Sequence, residues 1–249
     1  MRILCVADIH GHARILYKAL MAGESHGCGV ILAAGDLLFP GPEPLKTWNL
    51  LTAAHAHCVR GLSDEALATI DPETLSSSQL ISQALRNPDS NTAAIAARAR
   101  RLRKTRQELG DQILQRLHRL PTRFRMSLED GGELLLVHGA PADPTVSITH
   151  DMDDDEVAAL LGDEDVNVVV CGGGHVPFDR VVGRTRVICV GSLGESPTEG
   201  VAHAVMLETS SAGFDVRFVQ FGCVPDDDPD GVPDGVPDDD LAEGGASGL

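Results

Sequence analysis

Aromatic side chains are scarce in this sequence: one Trp, one Tyr and six Phe among 249 residues. A core built almost without them has to rest on Leu, Val, Ile and Ala. Basic residues are also few, 20 Lys and Arg against 37 Asp and Glu. Nine of the acidic charges fall from Val224 onward, so removing them from the net −17 leaves −8 for the body. An acidic body argues against duplex nucleic acid as a main partner, because phosphate neutralisation needs a basic face. No apolar run approaches the roughly 20 residues that span a bilayer. The opening "MRILCVADIHGH" turns acidic and polar too soon for a signal-peptide core. The expectation is a cytoplasmic protein with no membrane partner. Six cysteines (Cys5, Cys28, Cys58, Cys171, Cys189, Cys223) show no CxxC spacing, and four of them lie in apolar strand-like runs. Buried free thiols in a reducing compartment are expected, rather than a zinc-thiolate cluster or a disulfide framework.

What is present divides into a body, residues 1–222, and a tail, residues 223–249. The tail reads "VPDDDPDGVPDGVPDDDLAEGGASGL" from Val224, repeats a D-G-V-P unit and carries no basic residue. Such a composition buries too little to order itself and is expected to be an acidic disordered tail, with a cation-catching or partner-binding role as the alternative. In the body, "RILCVAD" and "GVILAAGD" are short continuous apolar runs, as expected for central strands covered on both faces. A helical pattern, 13–23, lies between them, which makes a parallel crossover unit. A helical stretch near 45–53 precedes a weaker third strand in "AHCVRG". Residues 64–120 look like a helical insertion, with helices over 75–85 and 91–120. In the second of these, Ile95, Leu102, Leu109, Ile113 and Leu117 share one stripe. Arg98, Arg100, Arg101, Arg103, Lys104 and Arg106 crowd the rest of that helix, either as a solvated face or as a cap bringing positive charge to an anionic substrate. Beyond Pro121 the strands return: "RFRMSL" and "ELLLVHG" as a hairpin, then "VNVVVCGG", "TRVICVGS", "AHAVMLE" and "FDVRFVQF", with one helix over 152–161. The sum is an α/β chain with two packed sheets and helices outside.

The strand ends carry the chemistry. The first closes on Asp8 and His10, the second on Asp36, the third on Arg60, Ser63 and Asp64, "LLLV" on His138 and "VVVC" on His175. Ligands of open α/β sheets bind beyond the carboxyl ends of strands. One histidine after a strand is commonly a satisfied polar group. Five strand ends delivering carboxylates and imidazoles together point to a shared metal site.

These motifs resemble those of the calcineurin-like metallophosphoesterases, especially the compact bacterial phosphodiesterase branch. The family pattern runs D-x-H, G-D, G-N-[HC]-[DE], H-G and G-H-x-H. Here "DIH" begins at Asp8, "GD" at Gly35, "GLSD" at Gly61, "HGAP" at His138 and "GGGH" at Gly172, while "VGSLGE" after Cys189 resembles the segment that follows in relatives. The likeness covers residues 1 to about 220, apart from the insertion.

The resemblance implies a four-layer α/β/β/α sandwich with two adjacent metals. One metal would take Asp8, His10, the bridging Asp36 and His175. The second would share Asp36 and add His138, but its asparagine ligand is Leu62 here and its second histidine is Gly173. One tight site and a doubtful second one are therefore expected, unless His150, Ser63 or Cys189 substitutes. The donor set suits Mn²⁺, Fe or Zn²⁺ without choosing among them, since affinity order is not selectivity, and Mn²⁺ is the expected ion. The implied activity is hydrolysis of a small phosphodiester or phosphomonoester by metal-activated water. The general-acid position of the family is Ser63, a poor proton donor. His12 is the nearest candidate to replace it, unless it is simply a helix-start histidine. Arg60 and Asp64 are the other catalytic candidates, Arg60 as a phosphate holder or as a partner of Asp64. The contrasting reading is a catalytically degenerate family member acting as a binding or scaffold module. The insertion, projecting from the third strand end, is the expected determinant of the substrate.

Overall fold

The computed structural model describes residues 1–70 and 90–222, and the side chains of all of these except 90–96. The expected helix over 75–85, the side chain of Ile95 and the acidic tail lie outside the described residues. The order of elements is β1 (Arg2–Val6), α1 (Ala13–Ser25), β2 (Val30–Ala34), α2 (Pro44–Ala53), β3 (His57–Val59), α3 (Leu62–Thr69), α4 (Ser90–His118), β4 (Arg123–Ser127), β5 (Glu133–Val137), α5 (Asp154–Leu161), β6 (Val168–Cys171), β7 (Phe178–Val182), β8 (Thr185–Cys189), β9 (Val201–Ser210) and β10 (Gly213–Gly222).

The strands form two five-stranded sheets, ordered β10-β9-β1-β2-β3 and β4-β5-β6-β8-β7. β1 and β2 run parallel with Ile3 opposite Val30, and β5, β6 and β8 are parallel at the heart of the other sheet. Past their first residues their runs are short and mostly apolar because each face is covered. The alternation of a strand assigns the layers. Ile3, Cys5, Leu32 and Ala34 point towards Leu134, Leu136, Val168, Val170 and Ile188 in the core between the sheets. Leu4, Val6 and Ala33 point the other way, onto Ile15 and Leu16 of α1, Leu51 of α2 and Leu67 of α3. On the far side Leu135, Val137, Val169 and Val187 meet Val157 and Leu161 of α5. Four layers, α/β/β/α, follow directly from these three cores.

Two elements were not expected from sequence. β7 has only alternate burial along Phe178–Val182 at a sheet edge, so its apolar signal is weak. α3 begins at Leu62, inside the stretch read as strand end and insertion. It is started by Gly61 and Asp64 in a capping arrangement. α4 is two helices broken at Gly110, whose φ of 69° and ψ of 166° need a residue without a Cβ. Leu102, Leu109 and Leu117 of its stripe are buried, with Leu114 beside them, so the inserted helix lies over the outer layer against α2 and α3. Among the described residues no helix is long and apolar enough to cross a membrane. Cys5, Cys171 and Cys189 are buried free thiols, and Cys28 and Cys58 are half-buried ones.

Candidate metal centre

The sandwich brings the ends of β1 and β2 of one sheet against those of β5 and β6 of the other. Main-chain hydrogen bonds lock these turns together. Asp8 N–H donates to Gly35 O at 3.1 Å, His10 N–H to Asp36 O at 2.9 Å, and Gly172 N–H to His138 O at 2.9 Å. The segment after β8 closes over the first turn, with Leu193 N–H on Ala7 O and Gly194 N–H on Asp8 O. Tight approach accounts for glycines here. A Cβ on Gly61 would fall 2.1 Å from Asp36 Oδ1, and one on Gly172 2.8 Å from Ala34 O.

The backbone itself marks the site. Among the described residues five non-glycines have positive φ: Asp8 (50°), His10 (50°), Asp36 (52°), His55 and His175 (57°). The left-handed region costs an L-residue on the order of 1 kcal/mol or more. Four of the five are the residues that the strand ends single out, so the strain is concentrated where side chains are being aimed.

The side chains converge in two groups. Donor atoms of Asp8, His10 and His175 lie within 4.8 Å of one another, and so do those of Asp8, Asp36 and His138. His175 Nε2 is 3.7 Å from Asp8 Oδ1, and His138 Nε2 is 3.5 Å from Asp36 Oδ1. Donors held about 2.1 Å from one cation lie roughly 3–4 Å apart, so these spacings fit an ion. Two further observations support the fit. Asp8 Oδ1 and His10 Nε2 are buried atoms without a hydrogen-bond partner among the described residues. The other nitrogens of two imidazoles are tied to backbone carbonyls: His10 Nδ1 to Phe39 O at 2.6 Å and His138 Nδ1 to Ala34 O at 2.8 Å. A hydrogen-bonded Nδ1 fixes the ring and leaves Nε2 as the ligand, the usual arrangement behind metal-binding histidines.

Charge balance points the same way. Burial pushes the Asp8 carboxyl far up from its ordinary range, and neighbouring Asp36 adds to this, while the Gly173 N–H at 2.9 Å opposes it. Burial, then His10, pushes His175 down, so its imidazole is predisposed to be neutral. A buried carboxylate facing another carboxylate, with the His175 imidazole biased to neutrality, is a site short of positive charge.

Asp8 belongs to both groups, whereas Asp36, expected as the bridge, belongs only to the second. The two departures from the family pattern have structural counterparts. Leu62 opens α3 with its side chain 47% exposed and offers no donor. At Gly173 a Cβ would lie 2.5 Å from Ser147 Oγ and 3.5 Å from His138 Nε2, so Ser147 takes up part of the space of the missing histidine. Of the suggested substitutes, Ser63 has a buried hydroxyl without a partner among the described residues, and its N–H donates to Asp36 Oδ1 at 2.8 Å. Cys189 is engaged with Cys171, and His150 is exposed.

Arg60 and Asp64, the other catalytic candidates, are placed outside the donor cluster. Arg60 Nε pairs with Glu65 Oε2 at 2.7 Å and its guanidinium also bonds the carbonyl of His118, so it ties β3 to the ends of α3 and α4. Asp64 is fully buried and accepts from Leu37 N–H at 2.9 Å and Gly61 N–H at 3.0 Å. Burial first, then Asp36, pushes its carboxyl up to about 7. Both residues brace the turns from outside the donor cluster. His12 is half-buried at the start of α1, against Gly194. Sequence reasoning missed Glu195. Its Oε2 is 3.5 Å from His10 Nε2, its N–H donates to Ser192 Oγ at 2.7 Å, and its backbone hydrogen-bonds the His175 ring. The only signal was its place at the end of "VGSLGE".

A two-sheet sandwich with carboxylates and imidazoles gathered at its strand ends defines a metallophosphoesterase-type fold. Residues 1–212 match the family model of the calcineurin-like phosphoesterase superfamily domain, and the chain belongs to that family. Solved structures agree on the fold. A hypothetical protein from Pyrococcus horikoshii OT3 is 20% identical with a TM-score of 0.70, covering 90% of this chain and 89% of that one. A metallophosphoesterase from Sphaerobacter thermophilus is 21% identical with a TM-score of 0.66, covering 89% of each chain. Wild-type Vps29 from Entamoeba histolytica, in complex with zinc, is 16% identical with a TM-score of 0.51, covering 89% of this chain and 99% of that one. Among curated proteins none matches the sequence.

Proposed function

We propose that the protein hydrolyses a small phosphodiester or phosphomonoester with one tightly held divalent ion, seated by Asp8, His10 and His175. The observation that carries this reading is the pair of buried atoms without a hydrogen-bond partner among the described residues, Asp8 Oδ1 and His10 Nε2, at the meeting point of strained strand ends. Asp36 and His138 share Asp8 in a second position, which lacks the donors that Leu62 and Gly173 do not supply and so holds an ion weakly. Two carboxylates and three imidazoles accept Mn²⁺, Fe or Zn²⁺ without choosing among them, and Mn²⁺ is the proposed ion. A bound ion supplies Lewis-acid polarisation of a phosphoryl oxygen and lowers the pKa of coordinated water.

The chain's own groups divide the remaining work. Phe39 O and Ala34 O hold the rings of His10 and His138 with Nε2 inward. Glu195, beside His10, is placed to accept a proton from water, and His12 is the proposed donor to the departing oxygen. Arg60 and Asp64 hold the turns in place.

A second reading keeps the fold and one ion but no turnover, as a binding module; exposed Leu62 and Gly173 are what favour it. Hydrolysis of bis(p-nitrophenyl) phosphate and p-nitrophenyl phosphate in Mn²⁺ separates the two. Turnover that disappears in His175→Ala supports the hydrolase. No turnover across a broad phosphoester panel by the ion-loaded protein supports the module.

A further inference from the structure

A groove of about 480 Å³ opens beside the metal centre, between the inserted helix α4 and the turn that follows β2. One wall is the face of α4 bearing Arg100, Arg101 and Lys104, three cations within about one turn of helix. The floor is Pro40, Gly41 and Pro42, and the inner end is His12 and Glu195. Two acidic groups, Glu108 and Glu195, also line it.

The floor is fixed to the metal centre. A Cβ on Gly41 would fall 1.6 Å from His10 O, and Glu43 N–H donates to Gly11 O at 2.9 Å. Glu195 belongs both to the groove and to the surroundings of His10. Arg101 reaches across to the carbonyl of Pro40 at 3.5 Å, at the limit of a hydrogen bond. Arg100 and Lys104 are exposed, and none of the ion pairs among the described residues uses either. A body of net charge −8 repels anionic substrates as a whole, so three cations pointed into one groove change the local field where a substrate must enter.

We propose that this groove is a second phosphate subsite, and that the substrate is a diphosphate-containing ester: one phosphoryl group at the metal centre, the next held by Arg100, Arg101 and Lys104. This rests on the hydrolase reading and narrows its substrate. Arginine forks match phosphate oxygens in pairs, and lysine adds a point charge, so a dianionic phosphate suits the wall better than a neutral leaving group. Hydrolysis adds water across one P–O bond. The hydroxyl goes to the attacked phosphorus, and the departing oxygen leaves with the bonding electron pair and takes up a proton.

The test compares two ligands that differ by one phosphate. Calorimetric titration of the Mn²⁺-loaded protein with ADP and with AMP, at constant ionic strength and free Mn²⁺, is expected to give ADP a tenfold or greater advantage. Arg100→Glu combined with Lys104→Glu should erase that margin, weakening ADP at least tenfold more than AMP, while leaving metal content and melting temperature unchanged. Arg116→Glu, a charge swap elsewhere on the same helix, should leave the margin intact. Equal affinity for the two nucleotides, or a margin that survives the double swap, overturns the subsite. Because the readout is binding, it is separate from turnover. A margin present in a protein that hydrolyses nothing would sink the hydrolase and keep the subsite. Turnover without a margin would do the reverse.

Discussion

His10 Nδ1 lies 2.6 Å from the carbonyl oxygen of Phe39, and that one contact decides which way the imidazole faces. With Nδ1 held as the donor, Nε2 is left inside the protein, buried and without a hydrogen-bond partner among the described residues, with Glu195 Oε2 at 3.5 Å. His138 repeats the device on Ala34 from the opposite sheet. The centre is thus built by strand-end backbone as much as by its side chains.

Acid should release the ion. The Asp8 carboxyl is pushed well up by burial and by Asp36, so in the metal-free protein it holds a proton at pH values where a free aspartate has lost it. An ion must displace that proton, and affinity is expected to fall as pH is lowered. His175 is pushed down and adds little competition near neutrality. Mn²⁺ titrations at pH 6 in buffers of different ionisation enthalpy should show net proton release, with weaker binding than at pH 8. Affinity flat across that range would contradict the charge picture.

Asp64 should matter for stability. Replacing it by Ala leaves the Leu37 and Gly61 N–H groups without their buried acceptor, at a cost of about 2–4 kcal/mol. Urea unfolding of Asp64→Ala against the parent measures it. The wild-type carboxyl has a folded pKa raised to about 7, above its value in the unfolded chain. The metal-free folded state therefore binds more protons than the unfolded one between about pH 4 and 7. Its contribution is fully present below pH 4 and declines as pH rises through 7. In Asp64→Ala that decline should disappear.

Gly61→Ala probes the packing of the turn. Its Cβ would sit 2.1 Å from Asp36 Oδ1, with the Asp36 main chain at 2.4 Å, so something must move. Overpacking of this kind costs about 1–3 kcal/mol. Calorimetric melting should show the loss, and Asp36 should shift in any structure of the variant.

Restoring the family histidine should not by itself restore a second ion. In Gly173→His the new Cβ meets Ser147 Oγ at 2.5 Å, and φ at this position is +70°. The single variant is expected to be less stable with unchanged tight metal content. Adding Ser147→Ala and Leu62→Asn removes the clash and supplies a donor, and that triple variant should gain weak second-site occupancy by equilibrium dialysis.

Much of the centre was legible because short apolar runs ending in Asp or His leave little doubt about where a covered parallel strand stops. Asp8, Asp36, His138 and His175 stand out on that basis, and the alternation of Ile3, Leu4 and Cys5 supports two faces. Other features depend on tertiary placement. Glu195 is thirteen residues past the end of β7 in the chain, and only the closing loop brings it to His10. Arg60 reads equally as a phosphate holder or a partner of Asp64, and only the folded chain shows its contacts with Glu65 and the end of α4. β7 escapes because an edge strand needs only alternate apolar residues. The choice of Asp8 rather than Asp36 as the shared carboxylate depends on side-chain geometry, to which motif spacing is blind.

The most direct test is metal content. Protein reconstituted in excess Mn²⁺, freed of loose ions by desalting and assayed by plasma mass spectrometry, should retain close to one ion per chain. His175→Ala and Asp8→Asn should retain almost none while staying folded by circular dichroism. Two ions surviving desalting in the parent, or one surviving in both variants, would contradict a single cation gripped by Asp8, His10 and His175.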